Sequence, residues 1–175
     1  MIPEAYRVAL VGLGDRGYKT HFLGLNGSPS EVVVAACDTS QKLLSEFALK
    51  HPDVPAYCSV DDLVAAHQST APVDFAIVCV PHGLHGRCVE TLAAANIPVL
   101  KEKPAANNVD EYEALLGLPV PVGVMFQKRF EPRYQQLKSL LPSLGRIVSF
   151  RGALERNIDH LASTWRAAGV DVAVS

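Results

Sequence analysis

No apolar run in the 175-residue chain approaches the roughly 18 residues that a membrane-crossing helix requires. The opening residues, Met1 to Glu4, carry neither the basic flank nor the apolar core of a secretory signal. Cysteine is scarce: Cys37, Cys58, Cys79 and Cys88 contain no C-x-x-C pair, which argues against a structural metal site. Cys37 and Cys79 fall at the ends of predicted strands, where a thiol reads as a small core hydrophobe and not as a disulfide partner. Charge is scarce too. Charged residues make up 19% of the chain against 49% hydrophobic, a balance that leaves little scope for disorder. A formal net charge of −2 supplies no basic face for a nucleic-acid backbone. There is no internal repeat and no low-complexity tract. The absences together predict a compact, soluble, cytoplasmic chain with room for one sizeable core, or one domain and part of another.

What is present is organised around residues 7–17. Val8 to Val11 form a short apolar run of the kind a buried parallel strand shows. Gly12, Gly14 and Gly17 follow in G-x-G-x-x-G spacing, with Asp15 and Arg16 between the last two, and residues 18–25 can continue as a helix. The first glycine permits a tight strand-to-helix turn, the second lets a pyrophosphate approach the backbone, and the third lets helix pack closely on strand. The helix N-terminus then turns its N–H groups and partial positive charge towards the phosphates. A second strand, 32–37, ends at Asp38, 21 positions beyond Gly17, where a carboxylate would meet the ribose hydroxyls. Asp38 could equally cap the helix that begins near Thr39.

The rest of the chain alternates. Helix 39–50, with Thr39 or Ser40 as its cap, places Leu43, Leu44, Phe47 and Ala48 on one face. A short strand at 56–58, a short helix from Asp61 or Asp62, strand 73–80, helix 85–95, strand 97–101, helix 109–116 and strand 120–125 follow. Strand–helix alternation with short links predicts an α/β fold, a doubly wound parallel sheet covered on both faces. After Met125 the pattern changes to a helix over 130–141, with Pro132 in its first turn, and a half-exposed strand over 146–155. The predicted domains are 1–125, a dinucleotide-binding Rossmann domain, and 126–175, the incomplete start of a second domain. An edge strand at 146–155 without a neighbour would invite self-association.

Several of these residues, taken in order, resemble the N-terminal part of the Gfo/Idh/MocA oxidoreductase family. They are Gly12, Gly14 and Gly17; Asp38; Pro81 with His85; Glu102-Lys103-Pro104; Arg129-Phe130 with Pro132; Leu144-Gly145 with Ile147; and Trp165-Arg166. The resemblance implies a Rossmann domain joined to a second domain built on a large open sheet. It implies NAD, with NADP possible, as cofactor, and hydride transfer to or from a hydroxyl-bearing carbon of a sugar or polyol. The cofactor-binding set would be Gly12, Gly14, Asp15, Arg16, Gly17, Asp38, Pro81, His85 and Glu102. Lys103 would be catalytic: an ammonium partly desolvated beside an oxidised nicotinamide ring can relay a hydroxyl proton. Without the resemblance, Lys103 reads as a surface lysine in a K-E-K cluster.

Other readings stay open at this stage. His82 and His85 form an H-x-x-H pair without a third metal ligand at matching spacing, so no metal is expected, and His85 either lines the cleft or caps a helix. Arg129 either binds substrate or ties down a helix, and Trp165 reads as packing. Asp38 without an arginine after it favours NAD, tempered by Lys42. After Trp165-Arg166 the family resemblance implies an Asp-x-Gly-x-His segment. Asp171 is present, but the glycine and the histidine are not, which predicts a shortened chain with weak or no turnover alone. The rival expectation is a non-catalytic nucleotide-binding regulator or assembly partner.

Overall fold

A computed structural model of the chain describes residues 5–149 and residue 151. The chain divides into two compact units, residues 1–129 and 130–175.

The first unit holds six parallel strands: β1 (Tyr6–Val11), β2 (Glu31–Cys37), β3 (Ala56–Tyr57), β4 (Phe75–Val78), β5 (Val99–Glu102) and β6 (Val122–Met125). Their order across the sheet is β3-β2-β1-β4-β5-β6. The order reverses between β1 and β4, the position at which open α/β sheets leave a crevice outside the carboxyl ends of the strands. Alternation along β1 sorts its side chains between two cores. Val8 and Leu10 join Phe22, Leu44 and Phe47, whereas Ala9 and Val11 join Leu63, Val89 and Leu92. The doubly wound sheet predicted from the alternation is the fold observed.

Helix α1 begins as a π-helical stretch, Arg16–Phe22, and ends in one α turn, Leu23–Leu25. Helix α2 (Gln41–Lys50) is capped by Ser40, whose hydroxyl accepts the Leu43 N–H, which settles the Thr39-or-Ser40 alternative. Helix α3 (Val60–Ser69) starts at Ser59, earlier and longer than predicted, because the Ser59 hydroxyl accepts the Asp62 N–H. Helices α4 (His85–Ala94) and α5 (Val109–Leu116) complete the layers, α5 capped by Asn108. Strand β6 starts at Val122, later than predicted, since Pro121 lacks an N–H and contributes only its carbonyl, taken by Val99 N–H.

In the second unit, α6 (Pro132–Leu140) begins with Pro132 in its first turn and passes into a 3-10 turn, Leu141–Leu144. Residues 146–149 form no strand, and the remainder of the strand predicted over 146–155 lies almost wholly outside the described residues. A strand needs a hydrogen-bonding neighbour, and none is paired with 146–149 among the described residues. Trp165, Arg166 and Asp171 also lie outside the described residues. Among those described, no helix is long and apolar enough to cross a membrane.

Two thiols, the buried Cys37 and the half-buried Cys79, tie this core to pH. Burial, assisted by nearby Cys88 and Asp38, pushes the Cys37 thiol up to about 12; burial and then Glu102 do the same to Cys79. A thiol whose folded pKa is raised contributes stability that is complete below the ordinary cysteine value and is lost as pH rises through the folded one. Between pH 9 and about 12 the fold should therefore lose stability, on the order of 1 kcal/mol per thiol per pH unit. Lys101, with a lowered pKa, acts in the opposite sense but is one group against several raised thiols, since burial raises Cys88 too. Urea unfolding from pH 7 to 10.5 should show the decline, with a shallower slope in Cys37→Ala; equal slopes would contradict it.

Candidate functional site

The site is built on the turn between β1 and α1. Gly12 has φ 99°, in the left-handed region, and a Cβ there would stand 2.5 Å from the Cys79 carbonyl oxygen. A Cβ on Gly17 would overlap the Gly12 carbonyl oxygen. These two glycines let strand, turn and helix approach one another. Gly14 differs: a Cβ built there meets nothing within 4 Å. It borders a groove of about 280 Å³ with Leu13, Tyr18, Leu43 and Phe47. Backbone that is left open at Gly14 while its neighbours are packed shut is what close approach by a phosphate requires. The glycine turn thus fits a dinucleotide pyrophosphate.

Asp38 does more than either sequence reading assigns to it. Its Oδ2 accepts the Leu13 N–H at 2.7 Å, and its Oδ1 accepts the Ser40 N–H at 2.8 Å. One carboxylate ties the glycine turn to the end of β2 and also shapes the entry to α2. Each oxygen retains a further lone pair, so a ribose hydroxyl can still donate to it. The tie to Leu13 joins residues 25 apart and had no sequence signal.

Arg16 and Glu102 meet each other. Glu102, buried at the end of β5, forms an ion pair through Oε1 with Arg16 Nε at 3.3 Å and lies 3.0 Å from His21 Nε2. The three side chains fasten the first turns of α1 to the carboxyl end of β5. Sequence reasoning missed His21; its place in the second turn of a π-wound helix follows no simple periodicity.

Pro81 is exposed at the start of the 3-10 turn His82–Leu84. His85 follows at the start of α4 and is 2% exposed. Its Nε2 lies 2.8 Å from the Val80 carbonyl oxygen, the geometry of a donated N–H, and its Nδ1 is buried without a hydrogen-bond partner among the described residues. Burial pushes its pKa down, only partly offset by the bond to Val80. The enclosed ring holds the end of β4 through Val80; it does not cap α4, whose N-cap is Leu84 without a side-chain bond. His82 and His85 rings lie 5.7 Å apart, and no group of three or more metal-ligating side chains exists among the described residues.

Lys103 is exposed just past the carboxyl end of β5. Its strand neighbour Lys101, to which no role fell from the sequence, is 2% exposed and donates from Nζ to the Ala105 carbonyl at 2.7 Å. Asn107 then donates to the His82 carbonyl at 3.4 Å and to Glu111 Oε2 at 2.9 Å, joining the loops after β4 and β5. The glycine turn, Asp38, Glu102 and Lys103 all lie at the carboxyl ends of β1, β2 and β5.

Comparison with known proteins agrees with this geometry. Inositol 2-dehydrogenase of Corynebacterium glutamicum is 28% identical over 163 residues, covering 88% of this chain and 46% of that protein. Scyllo-inositol dehydrogenase from Lactobacillus casei, solved with NAD(H) and scyllo-inositol, matches with a TM-score of 0.68 and 22% identity, over 79% of this chain and 41% of its own. The WlbA dehydrogenase from Chromobacterium violaceum, solved with NADH and UDP-GlcNAcA, matches with a TM-score of 0.71 and 23% identity, over 82% and 41%. The chain spans less than half the length of the curated relatives it matches. The family described as an oxidoreductase family with an NAD-binding Rossmann fold matches residues 6–130, and with that match the chain belongs to the Gfo/Idh/MocA oxidoreductase family.

Proposed function

We propose that this chain binds NAD across the crevice at β1 and β4 and forms the cofactor-carrying part of a dehydrogenase acting on a sugar or polyol. The observation that carries the reading is the contrast within the glycine turn. Gly12 and Gly17 are packed against backbone, and Gly14 alone is open. The pyrophosphate would lie over Gly14 and the α1 N-terminus, and the ribose would donate to Asp38. Bound NAD supplies the hydride acceptor. Lys103, exposed at the end of β5, would take the proton of the substrate hydroxyl, with its desolvation provided by the bound partners. Arg16 and Glu102 would act mainly by fixing α1 against β5, and Pro81 and His85 by shaping the turn after β4.

In this reading residues 126–175 begin a substrate domain, and the chain by itself turns substrate over weakly or not at all. The four free cysteines suit a reducing, cytoplasmic compartment. The missing glycine and histidine after Asp171 favour a second reading, a nucleotide-binding regulator that uses the same turn without needing Lys103.

Gly14→Val tests the reading without disturbing the fold, since its side chain enters open space. Calorimetry should show NAD affinity falling by at least about 30-fold, which is some 2 kcal/mol, with the melting temperature little changed. Retained affinity in that variant would rule out the glycine turn as the phosphate site.

Cofactor choice follows from Asp38. In this reading its carboxylate would face a 2′-phosphate and repel it, and Lys42 lies 4.0 Å from Glu46. NAD should bind on the order of ten times more tightly than NADP, and Asp38→Ala should narrow the gap. Equal titration curves for the two dinucleotides would contradict this.

The reading extends to self-association through 146–155, supported by the exposed apolar side chains of Ile147 and Val148. Light scattering should show dimers or larger species that Val148→Lys reduces; a concentration-independent monomer would end the idea.

A further inference from the structure

We propose that Lys101 is a positioning residue: from inside the sheet it holds the Ala105 carbonyl and so sets the turn that presents Lys103 to the crevice. The proposal rests on the NAD-binding reading and names a residue that reading does not use.

The geometry is that of a short closed loop. The Lys101 backbone is fixed in the sheet, paired with Val78 on one side and Val124 on the other. Its side chain leaves the sheet towards α4 and α5, and Nζ reaches the carbonyl of Ala105 at 2.7 Å. Lys103 and Pro104 lie between the two ends of that bond, so the position of Ala105 relative to β5 constrains both. The loop is then carried on by Asn107, whose N–H meets Glu111 Oε2 at 2.8 Å. A cavity of about 20 Å³ beside the ammonium, bordered by Gly86, Glu90 and Glu111, leaves room for about one water and no more.

Energetics show why a lysine here calls for a role. The side chain is among the largest fully buried in the chain, and burial pushes its pKa down, with Glu111 opposing in part. No ion pair to Lys101 exists among the described residues. A buried ammonium held by one neutral carbonyl is an expensive way to fill a core position, and a hydrophobe of similar length would fill it at lower cost. Methionine has that length and cannot donate to Ala105. The fold alone would favour methionine; only the turn needs the donor.

These opposed effects make the test. The whole chain and its Lys101→Met variant would be treated with trace acetic anhydride, with and without saturating NAD, and acetylation at Lys103 counted by mass spectrometry. Lys138, exposed on α6, serves as internal reference. NAD should shield Lys103 in the unmodified chain about fivefold or more. In Lys101→Met the shielding should fall below about twofold, because a displacement near 1 Å is enough to lose a positioned contact. NAD affinity by calorimetry should stay within about threefold, since the glycine turn is untouched, and the melting temperature should be equal or higher. Equal shielding in both chains overturns the proposal and leaves NAD binding standing. A lower melting temperature in Lys101→Met also overturns it, because the lysine is then a simple stabiliser. Absence of shielding in the unmodified chain removes Lys103 from the nicotinamide side and the proposal with it, whereas absence of any NAD binding fails the underlying reading.

Discussion

The approach of helix α1 to strand β1 at Gly17 and Gly12 is the constraint on which the rest of the structure depends. With no Cβ at position 17, the helix sits directly against the Gly12 carbonyl, nearer than any other residue would allow. That proximity puts Phe22 into the core, where its ring lies 4.9 Å from Phe47 and 5.6 Å from Tyr18, so the spacing of α1 and α2 follows from it. It also places the start of α1 within reach of Glu102 on β5. A helix displaced outward by one methyl group would loosen both the aromatic layer and the Arg16–Glu102–His21 contact. Fold and site thus share one steric requirement.

The elements that sequence reading recovered are those whose signals are local. Apolar runs at 8–11 and 32–37 became strands, Ser40 before an apolar face became a cap, and the glycine spacing became the turn. Misplaced boundaries have local causes too, as with Pro121 delaying β6 and Ser59 advancing α3. Contacts between elements far apart in sequence were not legible. Nothing in the string relates His21 to Glu102, 81 positions on, or Leu13 to Asp38. The π winding of Arg16–Phe22 was equally hidden, because a wider helix uses the same residues and differs only in which carbonyl each N–H meets. Lys101 was the hardest case. In the string it belongs to a charged K-E-K cluster that reads as surface, and only its place on β5, between β4 and β6 and under α4 and α5, shows it to be core.

Alternation at the end of β5 explains that cluster. Successive side chains point to opposite faces of the sheet, so Glu102 turns towards α1 and Lys101 towards α4 and α5. The two buried charges are treated differently. Glu102 is met by an arginine and a histidine, which offset its loss of water. Lys101 is hydrogen-bonded by a carbonyl alone, with Glu111 opposing its desolvation only in part, a weaker compensation for a full charge. The carboxylate therefore serves stability and attachment at once, whereas the lysine costs stability wherever it is charged.

The ties at the carboxyl ends of the strands form a pattern that bears on binding. Asp38 secures the glycine turn to β2, Glu102 secures α1 to β5, and Asn107 secures the loop after β5 to the loop after β4. Each tie joins two elements that would face different parts of one extended ligand. Ordering a loop on binding subtracts from affinity, and a turn already held by hydrogen bonds avoids most of that cost. A dinucleotide, which must be gripped at ribose, pyrophosphate and nicotinamide together, gains most from a crevice whose separate edges are joined before it arrives. The same joins transmit displacement: a shift in β5 moves α1 through Glu102, and a shift in the glycine turn moves β2 through Asp38. The crevice therefore behaves as one frame, with the open backbone at Gly14 as its single unfilled position in the glycine turn.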